Sequence, residues 1–432
     1  MGSSLALPAA ARASPQRALV WVVLCVLGAR RVAGLQNRWE RALFLGARVA
    51  QSIVVGCALA LARRMARGRA AHPAWSVARE VAFGGAKRAI ETGAELLGAD
   101  ERNFSAVTDL GELCCAAVPR WYAPALGCES IAFECGGVRC AVVCLQANAG
   151  AVRARLGLGA SGAGELAREQ DLVYVLHAHG GGYCAMGLNA AHQASLELFK
   201  YSHVHPRAAQ RLVYVHVDYT LGVERKWPAA IVDKVRVFDW LVGQGVPGRR
   251  IFLAGESGGA GLAACTALAL RDSPAFLGTR GEAARAEQPA GAVLLSPMID
   301  LTHDYPYETE TLDFLTPELA RICSRTYVPA EHQRSPYATP AEAESLAGLP
   351  PLLVQTGAEE IFNKPSAVFA AKAARDGTKV VFSSYEGMTH CFQHVVVPQC
   401  PITMRAIAEI FAFLHDHSPP PQQSPRHALT AA

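Results

Sequence analysis

The sequence predicts an α/β chain built around a mostly parallel central sheet, and three observations carry that prediction. Six apolar runs recur along the chain: "LVYVLHA" (172–178), "RLVYVHV" (211–217), "RIFLAG" (250–255), "GAVLLSP" (291–297), "PLLVQTG" (351–357) and "KVVFSSY" (379–385). They are rich in Val and Leu and do not alternate with polar residues, as suits parallel strands covered on both faces. The segments between them, such as "PAAIVDKVRVFDWLVGQ" (228–244), space their apolar residues at the helical period. Ahead of them, "ESIAFECGGVRCAVVCL" (129–145) reads as an antiparallel hairpin turning at Gly136–Gly137.

Bulk properties bound what this chain does. At 432 residues, 51% of them hydrophobic, it can bury one large α/β core with appendages. A net charge of +4 with no Lys/Arg cluster beside stacking aromatics argues against a nucleic-acid partner. Six of the 13 cysteines fall between Cys114 and Cys144 without a C-x-x-C pair, so a zinc site is not expected. They read as small apolar residues in and around the hairpin, with one or two disulfides in an oxidising lumen as the sharper alternative.

The first 70 residues read as a membrane-anchor region. "ALVWVVLCVLGA" (18–29) and "VAQSIVVGCALALA" (49–62) are uncharged apolar runs, each flanked by arginines on both sides. Each is shorter than the roughly 20 residues that span a bilayer, and the symmetric charge leaves topology open. Residues 71–128 follow as a helical linker or cap, with a glycosylation triplet at Asn103 that is usable only in the secretory lumen. The Gly/Ala-rich stretch 149–170 is expected to be a surface loop, and the proline-rich tail 417–432 to be disordered.

The chemistry sits in "FLAGESGGAGLAA" (252–264), which holds G-x-S-x-G at Gly255, Ser257 and Gly259. The pattern alone is weak, but an apolar strand leads in and a small-residue helix leads out, as a nucleophile elbow requires. A nucleophilic serine needs a base and an acid to orient it. Glu359 and Glu360 follow the strand ending near Thr356, and His390 follows the last strand, giving the order serine, carboxylate, histidine with either glutamate. "HAHGGGYC" after the first parallel strand supplies Gly180, Gly181 and Gly182 behind His179. Backbone N–H groups of Gly181, Gly182 and Gly258 suit an oxyanion hole, because no side chain stands between them and the developing charge.

His179-Gly180-Gly181-Gly182 together with Gly255-Glu256-Ser257-Gly258-Gly259 resembles the hormone-sensitive-lipase-like branch of the α/β-hydrolase superfamily. "VDYTLGVERKWPAA" (217–230), "LDFLTPE" (312–318), "SPYATP" (335–340) and "LPPLLVQTGAEEIF" (349–362) are similar to further segments of that branch, so the resemblance spans about residues 129–415. It implies the α/β-hydrolase fold, ester hydrolysis through an acyl-serine and no cofactor or metal. It also selects Glu360, four residues after Thr356, over Glu359 as the acid. The family often has Asp at the position of Glu360. Its usual Arg, Ala and Pro are Thr220, Gly222 and Val223 here, so one structural contact is expected to be lost. Gly258 stands where alanine is common, a change expected to matter little.

The resulting expectation is an α/β-hydrolase catalytic domain over residues 129–416, with a cap insertion at about 301–348, acting on a small lipophilic ester. Within the branch, the N-terminal anchor resembles arylacetamide and sterol deacetylases, which implies the endoplasmic reticulum membrane, with a lumenal catalytic domain as one orientation. An amidase or formamidase of the same fold, and an inactive lipid- or hormone-binding protein, are the rival readings.

Overall fold

A computed structural model describes residues 38–68, 70–72, 76–115, 118–158, 171–304, 307, 312–394 and 400–420. The apolar run at 18–29, most of the proline-rich tail and residues 159–170 lie outside the described residues. In chain order the main elements are α1 (Arg38–Arg67), α2 (Val77–Ala99), α3 (Arg102–Cys115), β1 (Cys128–Cys135), β2 (Val138–Leu145) and α4 (Gln146–Leu156). There follow β3 (Val173–Ala178), α5 (Leu188–Lys200), β4 (Leu212–Val217), α6 (Ala229–Gly243), β5 (Ile251–Glu256) and α7 (Gly258–Asp272). The chain continues through β6 (Gly291–Leu295), α8 (Pro317–Tyr327), β7 (Leu352–Gly357), α9 (Asn363–Arg375), β8 (Val380–Tyr385) and α10 (Pro401–Asp416).

All eight strands join one sheet in the order β1-β2-β4-β3-β5-β6-β7-β8. The hairpin β1–β2 and the β2–β4 pair are antiparallel, and every other pairing is parallel. Strands β3 to β7 are buried along almost their whole length, which is why their sequences show no polar alternation. The outer strand β8 departs from that expectation, with Val381 and Phe382 exposed at the sheet edge. One face of the sheet packs on α4, α6, α7 and α9 through residues such as Val152, Val235, Leu262 and Phe369. The other face packs on α5 and α10 through Leu196, Phe199, Ile410 and Phe411.

The stretch expected to be a loop from residue 149 instead begins as helix α4, whose Ala149, Ala151, Val152 and Leu156 are buried. Its glycines suggested a loop, yet Gly157 in the left-handed conformation ends the helix rather than breaking it. The second apolar run lies inside α1, where Leu45–Arg67 is long and apolar enough to cross a membrane. Helix α1 packs against α2 across the expected boundary at residue 70 by a seam of small residues. A Cβ on Gly56 would stand 2.3 Å from Gly84 O, and Ser52 Oγ meets Thr92 Oγ1 at 2.7 Å. Ile53, Val54, Leu59 and Met65 are left exposed.

The described cysteines form no disulfide. Cys128, Cys135, Cys140 and Cys144 are buried thiols of the hairpin, and burial pushes Cys128 and Cys135 up to about 11. Asn103 is fully buried in α3 and its Nδ2 donates to Leu96 O at 2.7 Å, so the triplet there is structural in the folded chain.

Candidate active site

Ser257 lies between β5 and α7, and the turn is tight enough to dictate its neighbours. Its backbone has φ 55° and ψ −122°, a conformation costly for a residue with a side chain. A Cβ on Gly255 would lie 2.3 Å from the Gly259 carbonyl, and one on Gly259 would lie 2.1 Å from Ala178 O. Both glycines are therefore steric requirements of the turn. The backbone of Ser257 is held by its N–H to Leu295 O at 2.9 Å and by Met298 N–H to its own carbonyl at 3.1 Å.

The glycine run leaves β3 beside this turn. His179 is buried, donates from Nδ1 to Gly180 O at 2.8 Å, and stacks on Tyr219, whose hydroxyl donates to His179 O at 2.9 Å. Burial lowers the His179 pKa, so its ring is a neutral brace for the loop. Gly181 (φ 101°) and Gly182 (φ 60°) adopt backbone angles that favour glycine. Among the described residues, the N–H groups of Gly181, Gly182 and Gly258 have no acceptor, whereas Gly180 donates to Glu256 Oε1 at 2.8 Å. The loop and the α7 N-terminus are in contact: a Cβ on Gly258 would lie 2.9 Å from Tyr183 N and 3.1 Å from Gly182 Cα. Alanine there is thus not the indifferent change expected, since the glycine loop would have to shift.

His390 enters from the loop after β8, with Nε2 2.9 Å from Ser257 Oγ. Its ring is 6% exposed, with Phe362 and Phe314 edge-on at 5.4 and 6.1 Å. Burial pushes its pKa down to about 3, against the opposing charge of Glu256. A neutral imidazole therefore faces the serine hydroxyl and can accept its proton. Glu360 is fully enclosed, with Oε2 3.8 Å from His390 Nδ1. The same oxygen accepts Ser296 Oγ–H at 2.7 Å and Gly357 N–H at 3.2 Å. Burial, and next the charge of Asp313, raise Glu360 well above the usual carboxylate range. Glu359 lies instead near His72.

The structure thus brings Ser257, His390 and Glu360 together with the glycine loop. Three supporting residues were not singled out from sequence. Asp313 accepts His390 N–H and Ile361 N–H, each at 3.2 Å, and so ties the histidine loop to the segment following Glu360. It is the one carboxylate inside the apolar "LDFLT", a buried charge signal that was there to be read. Ser296 carried no such signal. Glu256 occupies the variable position of the serine motif, which hides its contact to Gly180. The contact expected to be lost at Thr220 is replaced: Thr220 N–H and Oγ1–H both donate to Asp233, at 2.9 and 2.5 Å. Gly222 is required because a Cβ would lie 2.8 Å from Tyr327 Cα of α8.

Away from this site, His72, Glu359 and Glu386 bring ligand-type atoms within 4.8 Å of one another. His72 Nε2 stands 3.7 Å from Glu359 and 3.3 Å from Glu386, within hydrogen-bond reach of the latter.

Comparison with known proteins agrees with this geometry. A family model described as the alpha/beta hydrolase fold matches residues 175–394, about half the chain. An acetyl-hydrolase of Streptomyces hygroscopicus is 34% identical over 249 residues, covering 57% of this chain and 76% of that protein. An esterase of Acinetobacter venetianus is 30% identical over 246 residues, covering 55% and 73%. The crystal structure of a hormone-sensitive lipase from a metagenome library matches with a TM-score of 0.56 at 27% identity, over 71% of this chain and 88% of that one. With its parallel sheet, its serine turn and its glycine loop in place, the chain belongs to the α/β-hydrolase family, in the hormone-sensitive-lipase-like branch.

Proposed function

We propose that this enzyme hydrolyses carboxylic esters carrying short acyl groups on lipophilic alcohols, with Ser257 as nucleophile, His390 as general base and then acid, and Glu360 as the group that orients His390. The observation that carries the reading is the 2.9 Å contact of His390 Nε2 with Ser257 Oγ beside three unengaged glycine N–H groups. Esterase and acetyl-hydrolase relatives support the ester as substrate.

The proposed steps begin at the serine. Ser257 Oγ attacks the ester carbonyl while its proton passes to His390 Nε2. The carbonyl oxygen becomes an oxyanion and is stabilised by the N–H groups of Gly181, Gly182 and Gly258, each such donor being worth about 10²–10³ in rate. His390 then returns the proton to the leaving alkoxide, and the acyl-serine remains. Water repeats the sequence, with His390 as its base, and releases the acid.

The substrate preference is drawn from the cap and the N-terminal helices. Phe314 lies edge-on to His390 at 6.1 Å and Cys323 of α8 lies against Gly182, and these apolar neighbours favour a lipophilic alcohol. Leu45–Arg67, with its exposed aliphatic residues, supports attachment to a membrane that holds such substrates, with the endoplasmic reticulum as the expected one. Turnover of p-nitrophenyl acetate against the matched anilide tests the reaction class. Preference for the ester supports the reading, and faster anilide cleavage would make the chain an amidase. Comparing acetyl with longer acyl esters of one sterol-like alcohol tests the substrate class.

A further inference from the structure

Behind the glycine loop runs a chain of hydrogen-bonded side chains that the steps above leave unused. Glu256, 13% exposed, divides its oxygens: Oε1 accepts Gly180 N–H at 2.8 Å and Oε2 meets His177 Nε2 at 2.7 Å. His177 of β3 is buried and lies opposite His216 of β4, their Nδ1 atoms 3.0 Å apart. His216 Nε2 meets Ser195 Oγ of α5 at 2.9 Å, and the same oxygen lies 3.0 Å from His192 O.

Ser195 has one hydroxyl proton to share between the His192 carbonyl and His216 Nε2, and the facing Nδ1 atoms of His177 and His216 share one proton between them. His216 is fully buried and held neutral, its pKa well below the ordinary value through burial first and the neighbouring imidazoles next. In either arrangement His177 Nε2 faces a carboxylate oxygen and carries the proton that donates to it.

We propose that His177, donating from Nε2 to the Glu256 carboxylate, fixes that carboxylate on the Gly180 N–H, so positions the donors Gly181 and Gly182, and offsets a negative charge beside the oxyanion. Both are positioning residues, and the proposal rests on the reading of Ser257 as nucleophile. Without its partner, the carboxylate would oppose the charge that develops on the substrate oxygen. Burial opposes ionisation of Glu256, yet the His177 ring and its hydrogen bond, then His394 and the Gly180 N–H, bring its pKa down to about 2. Lys234 of α6, whose Nζ donates to Ala254 O at 2.9 Å, faces the same carboxylate from the opposite side of the sheet.

The test is steady-state kinetics on the full chain with His177→Leu, Glu256→Gln and the double variant. His177→Leu strands the carboxylate, and kcat is expected to fall on the order of 10²-fold while KM changes less than about threefold. Adding Glu256→Gln removes the stranded charge and is expected to recover at least about tenfold in kcat. A merely structural role predicts a double variant as slow as the single one or slower. A kcat for His177→Leu within about threefold of the parent, or a double variant no faster than it, overturns the proposal. Nitrogen NMR of histidine-labelled intact protein at neutral pH reads the ring directly, whether or not the variants fold. A protonated Nε2 on His177 supports the pair, and an unprotonated Nε2 refutes it. If the parent protein hydrolyses no ester, the reading of Ser257 fails instead, and the NMR result alone decides the His177–Glu256 pair.

Discussion

Glu360 Oε2 lies 3.8 Å from His390 Nδ1 while accepting the Ser296 hydroxyl at 2.7 Å, so carboxyl and imidazole face each other across slightly more than a hydrogen bond. Among the described residues, neither His390 Nδ1 nor Glu360 Oε1 has another hydrogen-bond partner. In the proposed mechanism, the charge that His390 gains with the serine proton is expected to draw Glu360 closer and to close the gap in the transition state. Glu360→Ala is therefore expected to lower kcat by about 10²–10⁴-fold with little change in KM, as measured by steady-state ester hydrolysis.

Asp313 joins two loops through backbone N–H groups, not through the reacting atoms. Asp313→Ala leaves His390 N–H and Ile361 N–H without an acceptor in a buried place, at a cost of about 1–3 kcal/mol each. The urea midpoint should fall with the slope unchanged, and kcat should fall more than KM rises.

The pH profile follows from the burial of His390. The neutral ring is the active form, and burial moves its pKa from the ordinary 6.5 down to about 3. Lowering the pKa of a base extends its active form to more acid conditions. The acid limb of kcat/KM for a non-ionising ester is accordingly expected below about pH 6.5, and a limb at or above it would contradict a buried base.

Gly258→Ala tests the contact between serine turn and glycine loop. Its Cβ would meet Tyr183 N at 2.9 Å, so the loop must retreat from the oxyanion position. A fall in kcat of about tenfold or more, with the fold intact by circular dichroism, is expected. Gly259→Ala, at 2.1 Å from a carbonyl of β3, should instead fail to give folded protein.

Asn103 is expected to carry no glycan in the folded protein, because its Nδ2 is buried and bonded to Leu96 O. Glycosidase treatment of protein from a secretory host should leave the mass at this peptide unchanged.

Much of this site was legible in the sequence for a physical reason. Gly255, Gly259 and Gly181 are demanded by backbone approach or conformation, which leaves a fixed spacing in the chain. Ser257 and His390 stand at strand ends, where six unbroken apolar runs made the sheet readable. Helix α4 was missed because its Gly/Ala-rich sequence lacks an amphipathic stripe, and it is held by burial and by contacts distant in sequence such as Asn148 to Gln210 O. Ser296, Asp313 and the His177–Glu256 pair were missed because their partners are distant in sequence and meet only when the sheet assembles. His177 and His216 are 39 residues apart and yet directly opposed.

The most direct test of the whole account is labelling of the intact protein and of Ser257→Ala with a fluorophosphonate probe, followed by peptide mapping. Such probes react with activated serines and leave ordinary ones untouched. The account predicts a single adduct on Ser257 that is lost in the variant. A folded parent protein that stays unlabelled, or an adduct that persists in Ser257→Ala, would contradict it.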